Sequence, residues 1–222
     1  KAVADGRASA QRANFVVGRH AERTLAVAED IANRARAVAA APDDELRRRA
    51  PELHTRLGDL LLGLDAIGSV SIWDRDGLNL LHSRVEQVDP SLSIADRDYF
   101  KRLRGGAAEP VITGLLTGKV SGEQLFNVVY RRKGPGGEFD GVVVIALSPR
   151  HFHEFYRDLA KDDPALATFS LFLADGALIT RWPVGTAQNR VPPSSPVLRA
   201  AQEGRKAGVL AMESSFDRGR HL

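Results

Sequence analysis

His151, His153 and Glu154, in the run Ser148-Pro-Arg-His-Phe-His-Glu-Phe155, come nearest in this chain to a metal-ligand set. Imidazole and carboxylate are groups that zinc takes. Residues two apart on a helix point about 200° apart, so the two histidines cannot chelate from one face, and no third ligand is evident. They read as helix-surface histidines, and no metal is expected. Cysteine is absent, which removes disulfides, thiolate catalysis and cysteine metal sites. Asp74 and Asp76 set two carboxylates one residue apart at the end of the apolar run Ser71-Ile-Trp-Asp-Arg-Asp-Gly77. Beside a glycine, their plain reading is as turn residues, because an Asp side chain bonds the backbone two residues on.

The elements that position these groups are announced by a repeat. SVSIWDRDGLNLLHS, from Ser69 to Ser83, and TFSLFLADGALITRWP, from Thr168 to Pro183, each consist of an apolar strand, an Asp-Gly turn and a second apolar strand. The turns at Asp76-Gly77 and Asp175-Gly176 lie 99 residues apart. Asp-Gly between apolar runs is a hairpin signal, since the tight turn needs a positive φ that glycine adopts without steric cost. One kind of module is used twice.

A chain of 222 residues, 43% hydrophobic and 27% charged, has the composition of a folded domain or two. No apolar stretch reaches the roughly 18 residues a membrane span needs. The net charge of +3, with Arg47-Arg48-Arg49 and Arg131-Arg132-Lys133 as short basic runs, gives no electrostatic footprint for nucleic acid. A chain that starts at Lys1 reads as a piece of a longer protein, with any signal or anchor outside it.

Small and apolar residues at Gly18, Ala21, Leu25, Ala28, Ala32, Ala35 and Ala39 alternate in steps of three and four, which predicts a long helix over 14–41 with a slim face for packing on the body or on a second copy. Pro42 breaks it, and Asp43 or Asp44 can cap a leucine-rich helical stretch that Pro51 divides. After the first hairpin, Asp96 can cap a short helix that ends at Gly105-Gly106. Strand-like runs follow at 110–116, 125–132 and 141–148, completing a five-stranded antiparallel sheet with helices laid on it. Beyond them come a helix over 151–160, the second hairpin, a helix over 197–203 and a strand over 208–212. The second module looks unfinished at the chain's end.

A long helix followed by two such modules resembles the tandem Cache family, the double PAS-like extracytoplasmic sensor domains of bacterial membrane receptors. Asp96-Arg97-Asp98-Tyr99-Phe100 is similar to the family's Asp-Arg-x-Tyr-Phe element over the distal pocket. Pro110-Val-Ile-Thr-Gly114, Leu125-Phe-Asn-Val-Val-Tyr130 and Phe139-Asp-Gly-Val-Val-Val-Ile-Ala-Leu147 are similar to its last three distal strands. The resemblance implies an α+β fold: residues 1–56 as the long helix and a connecting helix, 57–160 as the membrane-distal ligand-binding module, 161–222 as the membrane-proximal one. It implies a periplasmic position at the cell inner membrane, between two flanking transmembrane helices outside these residues, and a homodimer through the amino-terminal helix. A sensor histidine kinase is the output that the DRDYF wording favours, with a diguanylate cyclase or chemoreceptor as alternatives. The fragment itself is expected to have no catalysis and no cofactor.

By the same resemblance Arg97, Tyr99 and Phe100 occupy the places of the arginine and two aromatics that bind amino acids in some tandem Cache sensors. A guanidinium fork holds a carboxylate bidentately, and aromatic walls exclude water around it. The family also sets an acidic residue on the last distal strand for the ligand's ammonium. Residues 142–147 contain none, which points to a small carboxylate or another anionic or neutral metabolite. Trp73, Asn127 and Tyr130 join the expected pocket. The bland alternative pairs Arg97 with Asp96 or Asp98 and leaves the aromatics as core. A second resemblance, of Asp74-Arg-Asp76-Gly77 to the strand-Asp-x-Asp-Gly element of haloacid-dehalogenase-like phosphatases, would make Asp74 the nucleophile and Asp76 the acid-base around magnesium. The remaining phosphatase motifs are missing.

Overall fold

In the computed structural model the described residues are 2–162, 168–183, 190–204, 212–213 and 220–221. Helix α1 spans Ala2–Val38, α2 Asp43–Arg48 and α3 Ala50–Asp59. Strands β1 (Ile67–Trp73) and β2 (Asn79–His82) form the first hairpin, followed by α4 (Asp98–Arg104), β3 (Val111–Ile112), β4 (Leu116–Thr117), β5 (Gln124–Lys133) and β6 (Phe139–Leu147). Then come α5 (Pro149–Asp162), the hairpin β7 (Phe169–Phe172) and β8 (Leu178–Trp182), and α6 (Pro196–Gln202). The short pair β9 (Met212–Glu213) and β10 (Arg220–His221) is antiparallel; most of the strand expected over 208–212 lies outside the described residues.

The chain divides into two compact units, one of residues 24–148 and one of 1–23 with 149–222. The first is built on an antiparallel sheet in the order β2-β1-β6-β5-β3, with β4 on the outer end of β5. The fold is α+β, as expected. The run 110–116 supplies two short strands rather than one: the N–H of Thr113 still donates to the Asn127 carbonyl, but the N–H of Asn127 goes to Thr113 Oγ1, both at 2.9 Å.

Strand alternation divides this sheet by parity. Val70 and Ile72 on β1, Val143 and Ile145 on β6, and Val128 and Tyr130 on β5 are buried on one side. Arg36 of α1 stands 5.8 Å over the Tyr130 ring there. On the other side Trp73, Val129, Val142 and Val144 meet Tyr99, Phe100 and Leu103 of α4 in one apolar cluster. Burial of this kind contributes about 25 cal/mol per Å² of apolar surface removed from water.

Helix α1 begins at Ala2, earlier than the periodicity indicated, and its small-residue face is buried by the chain itself at Ala28, Ala32, Ala35 and Ala39, whereas Gly18 is exposed. Two expected caps are corrected. Pro42 is the N-cap of α2, and Asp43 instead pairs with Arg132. Arg97 is the N-cap of α4, while Asp96 goes to Lys119. In each case a long-range cation competes for the carboxylate with the local N–H groups.

The repeated hairpins share one turn. Gly77 and Gly176 have φ of 81° and 87°, the left-handed region that glycine tolerates. Gly77 N–H bonds Asp74 O at 3.0 Å and Gly176 N–H bonds Leu173 O at 2.8 Å. The residue after each glycine bridges to a later segment, Leu78 to Ser93 and Ala177 to Arg190. The 99-residue repeat thus holds at the level of single hydrogen bonds.

The unit containing α5 corrects the reading of the histidines as surface groups. His20 of α1 lies parallel to Phe155 at 3.8 Å and stacks on His151 at 5.1 Å. Burial, and then the neighbouring His151, lower the pKa of His20. His153 Nε2 contacts the carbonyl of Arg181. Among the described residues no group of three His, Cys, Asp or Glu could hold a metal ion, and no helix is long and apolar enough to cross a membrane.

Candidate ligand-binding site

The sheet side that carries Trp73 is not covered evenly. Ser69 of β1 and Asn127 of β5 flank Ala146 of β6 in one row of the ladder. Ser71 stands between His82 of β2 and Val144 of β6 in the next. Because Ala146 offers only a methyl group, a cavity of about 50 Å³ remains there, walled by Trp73 and Tyr99 and covered by Leu116, Val120 and Leu125. A space of that size admits a few water molecules. A metabolite therefore enters only if the segment from β4 into β5 gives way.

Arg97, Tyr99, Trp73 and Asn127, expected at the site, all line this cavity. Phe100 and Tyr130 do not, and the placement of both is a correction. Phe100 points into the apolar cluster, edge-on to Phe139 with ring centroids 5.5 Å apart. Tyr130 lies three residues from Asn127 on an extended strand, so parity sends it to the opposite side, under Arg36.

The polar groups are held firmly. Trp73 Nε1–H donates to Ser71 Oγ at 2.8 Å, leaving the Ser71 hydroxyl proton to donate elsewhere. Burial first, then the charges of His54 and Arg84, push the pKa of His82 down to about 4, so the ring is neutral. Its Nδ1 accepts the N–H of Arg84 at 3.1 Å and of Val85 at 3.2 Å, which places its single proton on Nε2. Burial pushes the Tyr99 phenol up to about 12, with Arg97 opposing and Asp96 reinforcing the shift.

The bland pairing of Arg97 is not what the fold uses. Asp96 accepts from Lys119 Nζ, Asp98 lies 3.8 Å from Arg102, and Arg97 NH2 donates to the carbonyl of Thr117 at 2.8 Å. Arg97 has no carboxylate partner among the described residues. Its guanidinium stands at the cavity's edge with N–H groups to spare.

Asp74 behaves as a turn residue. Its Oδ1 accepts the N–H of Asp76 at 3.0 Å and of Leu78 at 2.9 Å, and its Oδ2 accepts from Arg47 at 3.0 Å. A carboxylate so occupied is a poor nucleophile for phosphorus.

His82, Ser69, Ser71 and Lys119 were missed. Ser69, Ser71 and Trp73 at a spacing of two on a buried strand, with His82 opposite Ser71 across the hairpin, were legible from alternation and turn position. Lys119 gave no local signal.

No protein-family model and no curated protein matches the chain. Among solved structures, the extracellular domain of rpHK1S-Z16, described as a histidine kinase, is 26% identical, with 94% of this chain and 83% of that one covered and a TM-score of 0.70. The ligand-binding domain of the Campylobacter jejuni chemoreceptor Tlp3, in complex with L-valine, is 14% identical over 87% of this chain and 77% of that one, with a TM-score of 0.61. The sensor domain of the V. cholerae histidine kinase DctB is 14% identical over 86% and 76%, with a TM-score of 0.50. The chain has the fold of the extracellular sensor domains of histidine kinases and chemoreceptors, in agreement with the tandem Cache resemblance.

Proposed function

We propose that this chain is the periplasmic ligand-sensing domain of a bacterial inner-membrane receptor, a sensor histidine kinase. It binds a small carboxylate in the cavity of the unit 24–148, with Arg97 as the anchor. The observation that carries this reading is a guanidinium without a carboxylate partner among the described residues, at the edge of a cavity that no acidic side chain lines. A carboxylate held bidentately there makes the charge-assisted bonds that Asp96 and Asp98 do not supply.

In this reading the distal module, 57–160 in the sequence division, receives the signal and the proximal one passes it on towards a flanking membrane helix. A ligand shifts signalling only by its difference in affinity between two arrangements of the domain. Dimerisation through α1 would use its amino-terminal part, where Phe15 is 68% exposed, since the alanine face further along is already covered.

A thermal-shift screen of carboxylates, amino acids, amines and purines, repeated on Arg97→Ala, tests the proposal. A ligand at a hundredfold its Kd adds about 2.7 kcal/mol, a shift of several degrees. A carboxylate shift lost in the variant is expected. Silence across the panel overturns the reading.

A further inference from the structure

Among the residues that line the cavity, Asn127 is the one with an enclosed side-chain polar atom that no described residue answers. It is 3% exposed and lines the cavity. Its backbone is satisfied, the N–H by Thr113 Oγ1 and the carbonyl by the N–H of Thr113, both at 2.9 Å. Its side-chain amide has no hydrogen bond among the described residues, and Oδ1 is fully enclosed. A buried polar group left so costs stability that a partner in the cavity restores. An amide both donates, through Nδ2, and accepts, through Oδ1. The groups that answer both halves are those that donate and accept at once, a hydroxyl above all. An ammonium only donates and a carboxylate only accepts.

The charges are sorted in the same sense. Both cations of the lining, Arg97 and Lys119, are partly exposed, and no Asp or Glu lines the cavity to receive an ammonium. The buried wall is neutral: the Ser71 hydroxyl, the His82 ring and the Asn127 amide. An anionic group is therefore received at the edge and an uncharged hydroxyl inside. The small volume under Leu116 and Val120 favours a short ligand.

We propose that the ligand is a short hydroxycarboxylate, its carboxylate on Arg97 and its hydroxyl on the Asn127 amide, and that Asn127 selects it over both the plain carboxylate and the amino acid of the same length. This rests on the sensor reading above and specifies what that sensor takes.

Isothermal titration of the folded domain with L-lactate, propionate and L-alanine, and with glycolate against acetate, tests it. The hydroxy acid of each set is expected to bind at least tenfold more tightly than its partners. In Asn127→Leu the ratio of lactate to propionate affinity is expected to fall to about one, and in Arg97→Gln all binding is lost. Asn127→Asp, which keeps the side chain's size, is expected to weaken lactate and admit alanine; it decides the matter if the leucine variant does not fold. Equal or tighter binding of propionate or alanine to the unaltered domain overturns the proposal, as does a hydroxyl preference that survives in Asn127→Leu. Arg97-dependent binding without a hydroxyl preference overturns this inference and leaves the sensor reading standing. Absence of binding by every compound in the wider thermal-shift screen overturns both.

Discussion

Lys119 Nζ and Asp96 Oδ1 stand 2.5 Å apart, tying the turn after β4 to the segment that leads into α4. Lys119 also donates to the carbonyl of Ser93 at 2.6 Å, and Arg97 reaches the carbonyl of Thr117 from the same side. These surface bonds hold Leu116 and Val120 over the cavity. An exposed ion pair of this kind contributes about 0.2–1 kcal/mol, so the Lys119–Asp96 pair is a weak part of what holds this cover.

Removing that tie should change kinetics more than stability. Asp96→Ala and Lys119→Ala are each expected to lower stability by no more than about 1 kcal/mol while speeding both association and dissociation of ligand in stopped-flow measurements. Rates equal to those of the unaltered domain would show that ligand enters elsewhere.

Arg97 should not be replaceable by lysine. The guanidinium presents a rigid fork that can hold a carboxylate by two bonds while still bonding the Thr117 carbonyl, whereas an ammonium is a single point charge. Each charge-assisted bond is worth about 1.5–3 kcal/mol. Arg97→Lys is expected to weaken carboxylate binding about tenfold and Arg97→Ala about a hundredfold or more, as calorimetry would show. A lysine variant that binds as tightly as arginine would refute bidentate recognition.

What the sequence made legible was whatever local chemistry enforces. Asp-Gly at 76–77 and 175–176 specified both hairpins because few other dipeptides accept that turn, and Gly105-Gly106 stopped α4 as expected. Parity would have removed Tyr130 from the site, since it and Asn127 are an odd number of residues apart on β5. The caps at Asp43 and Asp96 were misread because Arg132 and Lys119 are 89 and 23 residues away. Tertiary partners of that separation leave no trace in local pattern. That Arg97 bonds the Thr117 carbonyl and no carboxylate among the described residues follows in part from the same cause, since Asp96 is engaged by the distant Lys119, while Asp98 lies by Arg102 one turn along α4.

His82 should make the domain acid-labile. Its folded pKa lies below the ordinary value of 6.5 because burial, then the charges of His54 and Arg84, disfavour the imidazolium. A lowered histidine pKa means that the unfolded chain binds the proton more readily. Its contribution is complete above about pH 6.5, declines as pH falls towards about 4, and levels off below. At about 1.4 kcal/mol per pH unit the loss across that window is of order 3 kcal/mol. Urea titrations from pH 7 to 4 should show it, and His82→Gln should flatten the profile over the same range. A wild-type profile that stays level there would mean His82 is not held neutral.

Asn127 and Arg132 occupy one strand with opposite parity, and this suits β5 to pass a cavity event to α1. Arg132 is buried, with Nε on the carbonyl of Ala39 at 2.7 Å, NH2 on that of Ala41 at 2.8 Å, and NH1 shared by Asp43 and Asp140. The guanidinium thus fastens the end of the long helix to the strand whose other side lines the cavity. Truncation removes the guanidinium from two half-buried carboxylates, one of which keeps Arg75, and leaves two carbonyls unanswered, so Arg132→Ala is expected to cost about 1.5–3 kcal/mol in urea denaturation. Arg132→Lys keeps the charge and loses the fork; it should fold, bind ligand within about threefold of the parent, since Arg132 does not line the cavity, and no longer transmit binding to α1. Hydrogen exchange separates these roles. In the parent, ligand should slow amide exchange at 28–38 of α1 as well as on β5. In Arg132→Lys the β5 effect should persist without the α1 effect. Protection of α1 that is unchanged in the lysine variant would refute transmission through this residue.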